Sequence, residues 1–219
     1  MIEWNFIESS FFYLLRGALV SLQIAGIACS IGLLFGTLLA LAQTGKYKPL
    51  RILVTLYVTI IRGTPMLVQI FIAFLVLPQL GIHLSAFWSA ILAIGINSSA
   101  YLSQIIRSGI DSIGKGQWEA AQVLGFSRGQ ALRYIILPQA LQVVLPALGN
   151  EFITLLKDSS LASTIGVVEL LKEGQIIISR TYKVIPIYLM ITVIYLVMTT
   201  ILSLILSRVE KRLKTHAGN

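Results

Sequence analysis

Between Gly17 and Gly45 the chain carries no charged side chain, and at 1.5 Å per residue that run makes about 43 Å of helix. A hydrocarbon core is about 30 Å thick, so the run is a tilted membrane helix rather than the interior of a soluble domain. Composition agrees. Of 219 residues 56% are hydrophobic and only 12% charged, half the charged share of about 25% in soluble proteins. The first eight residues hold acids and no base, and the apolar run behind them exceeds the about 7–15 residues of a signal peptide. Within the run Gly32, Gly36 and Ala40 recur every fourth residue, the small-residue spacing that lets helix backbones approach in lipid.

Four further spans follow, so that the expected spans are 17–43, 52–77, 85–106, 134–157 and 184–207. Arg62-Gly63-Thr64-Pro65 falls inside the second and predicts a kink, because proline lacks a backbone donor and drives the preceding residue out of helical geometry. Pro138 and Pro146 are expected to interrupt the fourth. The mixed segment 158–183 reads as partly helical and lying at the membrane surface. The loop 107–133 is charged and punctuated by glycine. The fold class expected is an all-α integral membrane protein, a five-helix bundle in one domain, with no internal repeat.

An odd number of spans puts the termini on opposite sides. Eleven Lys or Arg lie in 46–51, 107–133 and the C-terminal tail, against five on the other side. By the positive-inside rule the 107–133 loop and the C-terminus are cytoplasmic and the N-terminus outside. The formal net charge of +8 thus reads as topology and not as a nucleic-acid surface, since the bases cluster at span ends.

Catalytic and metal chemistry find no residues to carry them. Gly109 to Gly116 nearly spells a phosphate-binding loop, but Gly116 stands where Ser or Thr should hold magnesium, and an apolar helix precedes it rather than a strand. Asn97-Ser98-Ser99 matches a glycosylation acceptor inside a span. Cys29 is the single cysteine and His83 has no companion ligand, so no catalytic residue, metal or resident cofactor is expected.

Helix formers run from Gln117 to Leu124, Gly125 breaks them, and Ser127 with Gln130 has the spacing of a capping box that restarts a helix. Glu119-Ala120-Ala121, with Gly125 four residues after Ala121 and Leu137-Pro138 beyond, resembles the cytoplasmic signature loop of permease subunits of binding-protein-dependent ABC importers. Arg62-Gly63-Thr64-Pro65, Leu137-Pro138-Gln139-Ala140 and the stretch Asn150 to Leu161 are similar to the polar amino acid branch of that family. The resemblance implies a type I ABC importer-like bundle in a prokaryotic inner or plasma membrane. It implies as partners a second permease subunit, two cytoplasmic ATPase subunits holding ATP and Mg, and an extracytoplasmic solute-binding protein. Glu119, Ala120, Ala121, Gly125 and Arg128 would then couple to the ATPase.

Two polar faces inside the spans mark the expected substrate path. Asn97, Tyr101 and Gln104 stand at i, i+4 and i+7, one stripe of a helix, and such a stripe in lipid should face protein or water. Glu151, Thr154 and Asp158 form a second, negative face suited to an ammonium or guanidinium group, while Asn97 and Ser98 could serve an amino acid's carboxylate. This favours a basic amino acid (arginine, lysine or histidine) over glutamine or an acidic one. The competing account of Glu151 is an ion pair with Arg62. A membrane scaffold or an ion-driven secondary transporter is the alternative from other classes.

Overall fold

A helix in lipid must fill the hydrocarbon core with apolar residues and is most easily broken at a proline; the computed structural model describes residues 4–45 and 47–217. Glu3 and Lys46, and the side chains of Arg212 and Lys214, all used above in counting charge, lie outside the described residues. Helix α1 (Trp4–Thr44) starts well before Gly17 and takes Arg16 into its length. Helix α2 (Lys48–Arg62) has Pro49 in its first turn, where a missing N–H costs nothing. After Gly63-Thr64-Pro65 the chain resumes as α3 (Met66–Phe71), a π turn at Ile72–Val76 and a 3₁₀ turn at Leu77–Leu80. The two halves, Lys48–Arg62 and Met66–Leu80, meet at 101°. The expected kink is therefore a full break.

Helix α4 (Ala86–Ser112) begins where Ser85 Oγ accepts the Trp88 N–H at 3.4 Å. Helices α5 (Lys115–Val123) and α6 (Arg128–Ala131) form the loop expected at 107–133. A π turn at Leu132–Ile136 leads into α7 (Leu137–Asp158). Pro138 offers no N–H to Tyr134, and the widened turn before it absorbs the clash. A 3₁₀ turn at Ser159–Ile165, α8 (Leu170–Thr181) and α9 (Val184–Ala217) complete the order. Among the described residues four helical stretches are long and apolar enough to cross a membrane, Phe6–Thr44, Ala86–Ser112, Arg128–Ile165 and Val184–Lys211; the bent pair makes a fifth.

The first, third and fifth helices run beyond the expected spans 17–43, 85–106 and 184–207, since a helix continues past the hydrocarbon edge wherever its residues favour it. The 107–133 loop loses its first residues to α4, which ends at Ser112. Pro146 lies inside α7 without ending it.

Helices α1 and α4 form the largest helix contact, at the centre of the bundle. Ile24, Ala25 and Ala28 of α1 pack with Ala90, Ile91 and Ile94 of α4 in the main buried cluster. Below them the small-residue face works as its spacing predicts. A Cβ on Gly36 would stand 2.9 Å from the Ser99 carbonyl oxygen and 3.0 Å from Leu102 Cβ, so the two backbones nearly touch. Gly17 does the same for α8, where a Cβ would lie 2.8 Å from Leu170 Cα. In lipid, where hydrophobic surface gains little by leaving its neighbours, such close van der Waals contact is what associates helices. The outward faces of α1, α2 and α9 present Leu34, Leu53 and Leu189.

Candidate functional site

A cavity of about 480 Å³ opens where the break in the second hydrophobic segment meets α4 and α7, lined by Arg62, Gly63, Thr64, Pro65, Met66, Asn97, Tyr101, Glu151, Thr154 and Asp158. Each wall has a local cause. The break strips α2 and α3 of helical continuity and brings Arg62 and Thr64 to the opening. Helix α4 contributes Asn97 and Tyr101 from one face. Helix α7 contributes Glu151, Thr154 and Asp158, which its uninterrupted course keeps in register.

Five of the seven residues expected along the substrate path thus line one cavity. Ser98 and Gln104 do not. Ser98 is fully buried against Gly32 of α1, and its Oγ has no hydrogen-bond partner among the described residues. Gln104 Nε2 donates to Gln43 Oε1 at 2.9 Å and ties α4 to the end of α1. Nor does the cavity contain the ion pair weighed for Glu151. Arg62 and Glu151 are not within ion-pair distance; the Arg62 guanidinium carbon stands 5.0 Å from the centre of the Tyr101 ring instead. That placement suits a cation over an aromatic face.

Sequence reasoning missed Gln69. Its Nε2 donates to the Ile61 carbonyl at 2.8 Å, to Thr64 Oγ1 at 2.8 Å and to the Thr64 carbonyl at 3.2 Å. Its Oε1 accepts from Asn97 Nδ2 at 3.1 Å. One amide thus closes carbonyls that the break leaves open and holds the cavity's Asn97. The signal was available: a glutamine in an apolar segment, seven residues past Arg62.

The 107–133 loop has the helix stop and restart its spacing predicts. Gly125 has φ +80°, its N–H donates to the Gln122 carbonyl at 3.0 Å, and the Phe126 N–H reaches back to the Ala121 carbonyl at 3.0 Å. That pair of bonds is a Schellman stop. Two residues later Ser127 and Gln130 cap each other's backbones in a capping box. Ala121 is fully buried, whereas Glu119, Ala120 and Arg128 are exposed. At the end of α5, Val123 is 88% and Leu124 72% exposed, an apolar tip that the charge-based reading overlooked.

A further buried carboxylate belongs to neither feature. Glu169 caps α8 by accepting the N–H groups of Leu171 and Lys172 at 3.0 and 2.9 Å, and it accepts Ser21 Oγ and Tyr195 Oη at 3.1 Å each. Burial pushes its carboxyl above the usual range, and the four hydrogen bonds to it pull the other way without prevailing.

The chain is 40% identical to the L-cystine transport system permease protein of Bacillus subtilis, over 99% of this chain and 94% of that one. It is 38% identical to the glutamine transport system permease protein of Escherichia coli K12, over 97% and 98% of the two chains. With the arginine transport system permease protein of Bacillus subtilis it shares 36% identity over 93% and 94%. Among solved structures, an amino acid ABC transporter with histidines superposes with a TM-score of 0.90 at 40% identity, covering 97% of this chain and 99% of that one. The methionine ABC transporter MetNI, in an inward-facing conformation, shares the fold with a TM-score of 0.77 at 19% identity, over 92% and 96% of the two chains. Residues 32–215 match the model of the binding-protein-dependent transport system inner membrane component, and it is to this family of membrane-spanning permeases, with its type I ABC importer fold, that the chain belongs.

Proposed function

We propose that the chain is the transmembrane subunit of an ATP-driven amino acid importer, forms the translocation path, and passes a basic amino acid. The observation that carries this reading is the charge of the cavity: Glu151 and Asp158 stand two turns apart on one wall, with Asn97, Tyr101 and Arg62 opposite. A carboxylate within a span costs about 2.5–3.5 kcal/mol on insertion scales, so Glu151 with Asp158 beside it favours cations in this cavity, of which Arg62 supplies one. The side-chain ammonium or guanidinium of a basic amino acid supplies another. Arg62 and Asn97 then receive the α-carboxylate, a bond of the charge-assisted kind. The relatives named for cystine, glutamine and arginine, and the neighbour with histidines, support an amino acid as cargo.

In this reading α5 docks against a cytoplasmic ATPase subunit, which holds ATP and Mg. A second permease subunit completes the transmembrane part, and an extracytoplasmic binding protein delivers the solute. Closure of the ATPase pair moves α5 and, through Gly125, reorients the bundle from outward-open to inward-open. The C-terminus and the 107–133 loop face the cytoplasm, in accord with their bases. The test is uptake by the reconstituted complex. Wild type takes up labelled arginine, lysine or histidine only with ATP. Glu151→Gln assembles and keeps basal ATP hydrolysis while uptake of the cation falls about 10–100-fold, the worth of a hydrogen bond to a charge. Unchanged uptake by Glu151→Gln would exclude the basic-substrate reading, and uptake without ATP would exclude the importer.

A further inference from the structure

At the end of the bundle that carries the coupling loop, a second cavity of about 350 Å³ is lined by Arg51, Arg107, Lys115 and Arg128, with Asp111 as its one acid. The four cations come from α2, α4, α5 and α6, so the tertiary fold and not a local run of bases gathers them. Asp111 is already engaged, its carboxylate 3.6 Å from Arg107 Nε. Arg128 lies over Trp118, its guanidinium carbon 5.8 Å from the ring centre. Three net positive charges facing one space make it favourable to an anion. The volume is within the about 300–1,000 Å³ of small-ligand sites.

What adjoins the cavity identifies the anion. Ile110, Ile113 and Leu132 form part of its wall, and along the chain around Arg51 the residues Tyr47, Leu50 and Leu53 are between 42% and 68% exposed. A free phosphate would use the cations and leave that apolar strip idle. A lipid uses both. We infer that this cavity holds the phosphate of an anionic phospholipid from the adjoining leaflet, whose acyl chains lie along the outer faces of α1 and α2. Basic pockets between membrane helices bind such headgroups by the same combination of charge and depth. The inference needs only that the chain spans a membrane, whatever it carries.

Native mass spectrometry of the full-length chain in detergent, after incubation with equal amounts of phosphatidylglycerol and phosphatidylcholine of the same acyl chains, tests it. Wild type retains phosphatidylglycerol over phosphatidylcholine by about tenfold or more, and Arg51→Gln and Lys115→Gln each lower that retention about fivefold. Both side chains are exposed, so the fold should survive, as circular dichroism will check. Arg51→Lys, which keeps the charge, keeps the lipid. Equal retention of the two lipids, or undiminished phosphatidylglycerol on the double variant, would overturn the proposal. So would displacement of the lipid by excess inorganic phosphate, which would assign the cations to a free anion. None of these outcomes depends on the uptake assay, so the two readings fail separately.

Discussion

Asn97 Nδ2 donates to Gln69 Oε1 at 3.1 Å, across the gap between α4 and the broken second segment. The bond fixes which way a cavity amide faces, and the same Gln69 closes the carbonyls of Ile61 and Thr64. Gln69→Leu frees Asn97 to rotate and removes the amide from both carbonyls, leaving that of Ile61 only the 3.4 Å bond from Thr64 Oγ1 and that of exposed Thr64 to water. The expected result is a complex that assembles but takes up its amino acid with a KM about tenfold higher and a maximal rate changed less. A fall in maximal rate alone, with KM unmoved, would show that Gln69 serves the break and not the cavity.

The left-handed Gly125 permits the stop between α5 and α6. A β-branched residue there costs about 1–2 kcal/mol and favours a different chain direction. Gly125→Val should insert and fold yet lose solute-stimulated ATP hydrolysis in the assembled complex. Full stimulation in a complex that assembles would show that the glycine is not the hinge.

Gly36 and Gly26 lie on the same helix and answer differently to one methyl group. A Cβ at Gly36 meets the Ser99 carbonyl at 2.9 Å, whereas a Cβ at Gly26 meets nothing within 4 Å. Gly36→Ala should cost about 1–3 kcal/mol by pushing α1 from α4, read as a lower Tm in detergent. Gly26→Ala should leave Tm unchanged or raise it slightly, since alanine is the better helix former. Equal effects would deny the close approach.

Burial holds the carboxyl of Glu169 above the usual range near 4.5, so the folded chain binds this proton more readily than the unfolded one. The sign follows from linkage. Stability from this site is complete below the ordinary value and is lost as pH rises through the higher folded value. Tm of the chain in detergent should therefore climb as pH falls toward the ordinary glutamate value. Glu169→Gln, neutral throughout, should flatten that climb. Glu169→Ala should lower Tm at every pH by stranding the donors of Ser21, Leu171, Lys172 and Tyr195.

Features that depend on neighbours along the chain were legible in the sequence. The break at Arg62 to Pro65, the glycine stop, the Ser127–Gln130 capping box and the small-residue face of α1 each follow from local chemistry at fixed spacing. So does the negative face of α7, because residues three and seven apart share a side of any helix. The failures concern what stands opposite. Ser98 follows Asn97 by one residue and so points about 100° away around the helix, toward Gly32 and not the cavity. Gln104 continues the stripe in register, but the end of α1 covers it with Gln43. Gln69 was passed over for the same reason, since a partner far along the chain gives a single glutamine its meaning. The 101° turn was foreseen only as a kink, because proline marks where a helix yields and its packing decides how far.

That turn has a mechanical consequence. A straight rod transmits a push along its own axis, whereas two rods joined near a right angle act as a crank. Displacement of α2 along its length arrives at Met66 almost crosswise to α3, which is packed on α4. The pivot residues Gly63, Thr64 and Pro65 form part of the cavity wall. Any sliding of α2 along its axis would thereby reach the cavity as a sideways swing of that wall, without either helix having to stretch.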